Sequence, residues 1–393
     1  MVQLAKYEDC TGCGACSYIC SRNCIDMQEN NIGIVRPVVD TNTCIDCHRC
    51  EKACPVLNIP ERNTPFKVYA AWSLDEEQRK TSASGGVAYE LYKYAIQNDY
   101  LVVGASQNSD FSVSLKAVSK LDDIVGFKNS KYVFSEAWHV FPDVQNAIKQ
   151  DKKILFVGLP CQVAAAKSLF HDKGNILYIE ILCHGTTPLS YLKQHIKMLE
   201  NASGRKAASM SFRAPEAYTY TYTFTLYDEQ GECFYAKCTN DGDAYQYGYH
   251  RGVAYRENCY HCAFATPERV GDLILCDFYG LGNKFPCSYD VKNVSCIILN
   301  TEKGDTFIKE LISSNVIFTE GRPVEEAVEG NPRLRIPNPK TKERLVFEKN
   351  INKYNGDYEE SIEKLNRAYQ RYSHYPRIVK SLIYRTKLVL GLK

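Results

Sequence analysis

Residues 154–158 (ILFVG) form an unbroken apolar run between charged and turn-forming residues, the pattern of a strand buried on both faces. Residues 162–170 (QVAAAKSLF) then carry apolar positions at helical spacing, and 176–182 (ILYIEIL) is a second buried strand. Short connections and the right-handed crossover rule make these two strands parallel neighbours. Residues 272–276 (DLILC) predict another buried strand. Along VAYELYKYAI the period changes, with Val87, Leu91 and Ala95 sharing one face of a helix that follows a Ser/Gly-rich turn. Residues 218–227 (YTYTYTFTLY) alternate aromatic residues with threonine, and the turn DEQG leads into 233–238. This predicts a hairpin with one buried aromatic face. From Phe66 onward the expected class is therefore a mixed α/β domain with a largely parallel sheet.

The first sixty or so residues lack such periodicity and are organised by cysteine instead. Cys10, Cys13, Cys16 and Cys20 are spaced C-x2-C-x2-C-x3-C, and Cys44, Cys47, Cys50 and Cys54 repeat that spacing at a constant offset. The arrangement is that of bacterial two-cluster ferredoxins, where three cysteines of one run and the fourth of the other hold each 4Fe-4S cluster. One cluster then takes Cys10, Cys13, Cys16 and Cys54, and the other takes Cys44, Cys47, Cys50 and Cys20. Zinc sites use paired knuckles with longer spacers, not four close cysteines in a row. Thr11, Gly12, Gly14 and Ala15 leave room for backbone N–H groups to approach the sulfurs, and Pro55 follows the last ligand. Ser21 stands where the first run would carry a proline, and the extra Cys24 is expected to be structural. Residues 1–62 are thus an α+β ferredoxin-like module with two 4Fe-4S clusters, bounded by Pro60 and Pro65.

A further set is dispersed. Cys161 (GLPC) falls at the end of the first predicted strand, where the helix begins, and Cys183 (CHG) falls at the end of the second. Both thiols therefore face the sheet edge where open α/β sheets bind ligands. Cys259 and Cys262 (CYHC) precede the third strand and complete a candidate third 4Fe-4S site. A zinc knuckle or an unmetallated pair is the alternative. The remaining cysteines have no such grouping. The turn SASGG (82–86) presents helix N-terminal amides to a phosphate or simply caps the helix. Tyr245, Tyr247 and Tyr249 suit stacking or packing, and His184 and His261 lie beside proposed ligands.

Charge alters the picture little over most of the chain. Lys+Arg number 48 and Asp+Glu 46, so no basic field draws nucleic acid. No apolar run reaches membrane-spanning length. MVQLAKYEDC holds no secretory apolar core, so cysteine-rich metal sites are expected in a reducing cytoplasm. Residues 331–393 are expected as a basic tail, with 13 Lys+Arg against 6 Asp+Glu from Lys340 onward. Its last segment places Ile378, Leu382, Val389 and Leu392 on one helical face opposite Lys380 and Lys387. Arg385 interrupts the apolar side. Such a helix suits peripheral contact with an anionic membrane, its own domain or an acidic partner.

Together these motifs resemble the beta-subunit family of coenzyme F-420 (deazaflavin) hydrogenases and dehydrogenases, to which 7-hydroxymethyl chlorophyll a reductase is related. The resemblance covers roughly residues 1–330 and rests on the cysteine repeat, TSASGG, NSKYVFS, VGLPCQVAA, ILCHG and CYHCAFATPERVGDLILCDFYG. It implies a 63–330 flavin/iron–sulfur domain in which FAD lies beside a cluster and exchanges electrons with the ferredoxin-type clusters. It also implies flavin contacts at Ser84, Gly85 and Gly86, with Lys131 and Tyr132 near the reactive ring. The expected activity is that of a cytoplasmic iron–sulfur flavoprotein oxidoreductase, using a ferredoxin or other redox partner protein and an organic substrate. The alternatives are an electron-transfer subunit without its own substrate and a nucleotide-dependent transferase with a vestigial redox module.

Overall fold

The computed structural model describes residues 2–171 and 175–389, with side chains as far as Ser373. Its strands in chain order are β1 (Ile25–Glu29), β2 (Val35–Val39), β3 (Lys67–Ser73), β4 (Leu101–Gln107), β5 (Val113–Val118), β6 (Ser135–Glu136) and β7 (Ile154–Gly158). They continue with β8 (Ile176–Ile181), β9 (Ser209–Ser211), β10 (Phe224–Tyr227), β11 (Cys233–Lys237), β12 (Leu273–Asp277), β13 (Ser295–Leu299) and β14 (Ile317–Arg322). Nine of them form one sheet in the order β14-β3-β13-β12-β8-β7-β4-β5-β6. The centre, β12-β8-β7-β4, is parallel. On one flank β13, β3 and β14 pair antiparallel, and on the other β5 runs antiparallel to β4. The sheet is therefore mixed, with its parallel strands in the middle.

Burial on both faces explains the continuous apolar runs. Leu155 and Val157 of β7, with Leu177 and Ile179 of β8, pack under the helices Val87–Gln97 and Glu302–Ser313. Ile154, Phe156, Ile176 and Tyr178 face the helices Phe141–Lys149 and Pro160–Phe170 on the other side. Val87, Leu91 and Ala95 are all buried, consistent with their shared helical face.

In the N-terminal module the helices Ala15–Ile19 and Arg49–Lys52 flank the antiparallel β1–β2 hairpin. Ala15 is fully buried in the second of these sheet layers, and Tyr18 meets Phe141 and Phe170 edge-on at 5.5 and 6.1 Å. The module is thus docked against the helix that begins at Pro160. Gly14 permits this approach, because its φ of 76° is left-handed and a Cβ there would stand 2.5 Å from Trp138 Cβ.

The smaller sheet, β11-β10-β9, packs with the helices Leu189–Ser203, Ala244–His250, Lys342–Lys353 and the start of Tyr358–Val389. Two expectations change here. The hairpin forms between β10 and β11, but residues 218–223 are not strand, since Tyr218 and Tyr222 take positive φ and turn the chain into two short 3-10 segments. Nor is all of 331–393 a tail: Phe347, Ile351, Tyr358 and Ile362 are buried in the same core as Tyr191, Phe212 and Tyr245. The amphipathic face at Ile378, Leu382, Val389 and Leu392 lies outside the described side chains. Among the described residues, no helix is long and apolar enough to cross a membrane.

Candidate functional site

Strands β7, β8 and β12 are parallel and so finish at one sheet edge. Cys161 occupies the first turn of the helix after β7, and Cys183 lies just beyond β8. Cys259 belongs to the short helix Glu257–His261, and Cys262 follows it. All four line one cavity of about 50 Å³, together with Cys13 of the N-terminal module. Burial pushes the Cys161 thiol well up, and the sulfurs of Cys183, Cys262, Cys13 and Cys259 add to the effect. Four cysteine sulfurs gathered on one small cavity are a donor set that a 4Fe-4S cluster could use. Thr186 N–H donates to Cys259 Sγ at 3.4 Å, a bond of the kind that tunes a cluster's potential. Among the described residues no three His, Cys, Asp or Glu side chains converge closely enough for a single ion. A cubane instead spreads its thiolates over separate irons.

In the N-terminal module Cys10, Cys13, Cys16 and Cys54 line a second small cavity with Gly12, Gly14 and Pro55. Cys20 and Cys50 are buried in the module's core with Cys44 beside them, and Cys47 is exposed. Cys24 Sγ is 3.3 Å from Cys20 Sγ, and Cys44 also acts on it, so this fifth thiol stands against the second ligand set. Of the two sets, the first contributes a wall residue, Cys13, to the four-cysteine cavity.

A larger cavity, about 240 Å³, adjoins the four-cysteine one and shares with it Ser135, Leu159, Gln162, Cys183, His184, Gly185 and Thr186. Ser84, Gly86, Lys131 and Tyr132 line it. Gly85 does not: its N–H donates to Ser295 Oγ at 2.9 Å, its carbonyl accepts from Ser73 N–H at 2.7 Å, and a Cβ would stand 2.5 Å from the Ala71 carbonyl. This glycine fits the turn against β3 and β13, and its amide is not free for a ligand. Ser84 Oγ is likewise engaged, donating to the Val294 carbonyl at 3.0 Å. The neighbouring Ser82 Oγ is buried on the cavity wall and has no partner among the described residues.

Lys131 Nζ donates to the carbonyls of Gly126 and Lys128, each at 2.9 Å, and burial pulls its ammonium down to about 7. Tyr132 stacks on Tyr249 at 4.4 Å, and burial raises its phenol to about 12. Facing them, Arg213 pairs with Asp277 at 3.1 Å, and the Tyr222 hydroxyl donates to the same carboxylate at 3.3 Å. His250 and His184 are held down to about 4, chiefly by burial, and His250 Nε2 has no partner. Of the three tyrosines at 245–249, Tyr249 lines the cavity, whereas Tyr245 gives its hydroxyl to the Tyr132 carbonyl. His261 turns away and pairs with Glu257 at 3.3 Å.

Residues 151–324 match the family described as the C terminus of the coenzyme F420 hydrogenase/dehydrogenase beta subunit, and residues 9–58 match the 4Fe-4S dicluster domain. The larger domain therefore carries the C-terminal region of the coenzyme F420 hydrogenase/dehydrogenase beta subunit, and the N-terminal module is a 4Fe-4S dicluster domain. This beta-subunit relative is an electron-transfer iron–sulfur protein, with its dicluster domain at the N-terminus. A chain of the F420-reducing NiFe hydrogenase complex from Methanosarcina barkeri is similar over 75% of this chain and 96% of its own, at 15% identity and a TM-score of 0.47. No curated protein matches the sequence. The matched C-terminal family region contains Cys161, Cys183, Cys259 and Cys262, while the 82–86 turn, Lys131 and Tyr132 precede it. Sequence reasoning missed Arg213, His250 and Arg256, and placed Ser82 only within the 82–86 turn. The other signal for this wall was Asp277, inside the CDFYG ending of the longest motif.

Proposed function

We propose that this beta-subunit relative is a cytoplasmic flavin- and iron–sulfur-dependent oxidoreductase. It exchanges electrons with a ferredoxin or similar redox protein at its N-terminal module and with an organic substrate at the larger cavity. The observation that carries this reading is the shared wall: Cys183 lines both the four-cysteine cavity and the larger one. Clusters move single electrons, so a flavin in the larger cavity would supply conversion between one-electron and two-electron chemistry.

The residues there suit that group. Ser82 offers a hydroxyl and Lys128 a cation beside the helix N-terminus at Gly86, as a diphosphate requires, and Ser84 shapes the wall between them. The stacked Tyr132 and Tyr249 provide an aromatic surface. Lys131, caged by carbonyls without a carboxylate, favours negative charge beside it. His250 holds an uncommitted ring nitrogen on the same wall and can accept or return a proton. The purely electron-passing alternative has no use for this wall.

Anaerobic purification with iron, acid-labile sulfide and flavin quantification tests the reading. About twelve irons and one flavin per chain are expected, and Cys161→Ser or Cys259→Ser should remove about four irons while sparing the N-terminal sets. Wild-type protein without flavin would sink the oxidoreductase reading. Unchanged iron in both variants would remove the third cluster.

A further inference from the structure

Arg256 joins the two modules where their cysteine sets come nearest. Its side chain is 2% exposed. Nη1 donates to the Thr11 carbonyl at 2.7 Å and Nη2 to the Val35 carbonyl at 3.1 Å, so both terminal nitrogens are anchored on the N-terminal module. Thr11 lies between Cys10 and Cys13. The backbone of Arg256 belongs to the other site: its N–H donates to the Thr186 carbonyl at 2.9 Å, and its carbonyl accepts from Cys259 N–H at 3.0 Å. The guanidinium lies 4.3 Å over the Phe134 ring and lines the four-cysteine cavity. Gly12 makes the space, since a Cβ at its left-handed φ of +65° would stand 2.6 Å from Nη2.

The charge lacks the usual counterpart. Among the described residues no carboxylate pairs with Arg256, and its Nε has no partner. The adjacent Glu257 is taken by Lys340 and Arg344, and Arg269, which lines the same cavity, is paired with Glu180 at 3.1 Å. An unpaired buried cation is strongly disfavoured. The counterpart on offer is the set of cysteines that line the same cavity from both modules, Cys13, Cys161, Cys183, Cys259 and Cys262, whose sulfurs carry negative charge once they hold a cluster.

We propose that Arg256 is a positioning residue that sets potential at two sites together, the Cys10/Cys13/Cys16/Cys54 set and the Cys161/Cys183/Cys259/Cys262 set. This rests on the reading that both sets hold 4Fe-4S clusters. A fixed positive charge favours the more negative, reduced form of either cluster and so raises its potential. The Nη1 bond holds Thr11, between Cys10 and Cys13, and the Nη2 bond holds Val35, so together they fix this part of the module against the larger domain. Among the described residues, Cys20, Cys44, Cys47 and Cys50 of the outer set do not line the cavity that Arg256 shares with Cys13, Cys161, Cys183, Cys259 and Cys262. The two inner sites thereby become easier to reduce relative to the outer one, which draws electrons inward from the exposed Cys47 side.

The test uses the full chain, purified anaerobically, with iron counted and each potential measured by EPR-monitored titration. Arg256→Met should keep wild-type iron and lower the reduction equilibrium of both inner sites about tenfold, which is about 59 mV for a one-electron couple. The outer site should not move, and Arg256→Lys should restore most of the shift. Unchanged inner potentials with a lower melting temperature would make Arg256 a structural cross-link and overturn the proposal. An equal shift at all three sites would overturn it too. If Arg256→Met loses iron, Arg256→Gln takes its place, because it keeps a donor for Thr11 without the charge; lowered inner potentials support the proposal and unchanged ones refute it. A wild-type count near eight irons, not about twelve, faults the third-cluster reading, and the potential of the inner N-terminal cluster then decides the role of Arg256 alone.

Discussion

His195 is expected to control the aromatic wall of the larger cavity through charge, and its signature is a stability that falls with pH. The ring is 1% exposed, with Nε2 3.1 Å from Asp243 Oδ2 and Nδ1 2.7 Å from Glu359 Oε1. Asp243 also caps the helix Ala244–His250, whose last residues, Tyr249 and His250, line the cavity. Burial alone would lower the imidazolium, but the two carboxylates outweigh it and push it up to about 10 from an ordinary 6.5. The folded value lies above the unfolded one. The stabilisation is therefore complete below about pH 6.5 and is lost as pH rises through 10. At about 1.4 kcal/mol per pH unit, that interval bounds the contribution near 5 kcal/mol, and the partial exposure of Glu359 brings it to about 3 kcal/mol. His195→Gln keeps the size and removes the charge. Amide hydrogen exchange of residues 244–250, read by mass spectrometry and normalised to intrinsic rates, measures the opening free energy at each pH. The variant should open more easily by about 3 kcal/mol at pH 6.5, with the gap closing toward pH 10. A gap of constant size across that range would refute the charged pair and leave only neutral hydrogen bonds.

Three further outcomes concern the cofactor wall. Ser82→Ala should weaken flavin retention about fivefold, the effect of one net hydrogen bond, with iron and melting temperature unchanged; Gly85→Val should lower melting temperature as well as flavin content, because its side chain would strike the Ala71 carbonyl. For Lys131, whose ammonium is held near 7 by burial, binding of FAD to flavin-depleted protein should weaken as pH rises from 6 to 8, and Lys131→Met should abolish that slope. Calorimetric titration at three pH values reads both, and parallel slopes in the two proteins would exclude Lys131 as the group responsible.

What the sequence revealed follows from what each feature depends on. The unit from β7 to β8 was legible because both faces of a central parallel strand are buried, leaving an unbroken apolar run. The antiparallel flank of β13, β3 and β14 was not, since its pairings join segments hundreds of residues apart and leave no local period. In residues 218–227 the aromatic alternation suggested continuous strand, yet Tyr222 adopts a φ of 55° and its hydroxyl meets Asp277. A tertiary contact overrode propensity there. The candidate cluster cysteines are one residue type at fixed or strand-end positions, so a sequence can nominate them without a structure. The polar cavity wall is assembled from Ser82, Arg213, His250 and Asp277, one residue from each of four separate segments, and no spacing links them. Gly85 shows the converse: it sits inside a recognisable motif, but its backbone is committed to Ser295 and Ser73.

The basic C-terminus shows how a charge count misleads when its partners are hidden. Lys340 and Arg344 contribute to the apparent excess, yet both pair with Glu257, one residue from Arg256 and two from Cys259. Arg344 is also buried over the Tyr260 ring at 4.7 Å, inside the CYHC segment. These charges therefore serve the cysteine loop and are not offered to a membrane. The following helix continues the same work. Glu359 holds His195, Asn366 Nδ2 donates to the Gly242 carbonyl at 2.8 Å, and Gln370 Nε2 donates to the Thr239 carbonyl at 2.7 Å. The last two contacts fall just before the helix that carries Tyr249 and His250, and His195 reaches its N-cap through Asp243. Through Gln370, then, the C-terminal segment braces one wall of the larger cavity and one side of the four-cysteine loop. The final basic stretch, which begins at Pro376, lies beyond these bracing contacts.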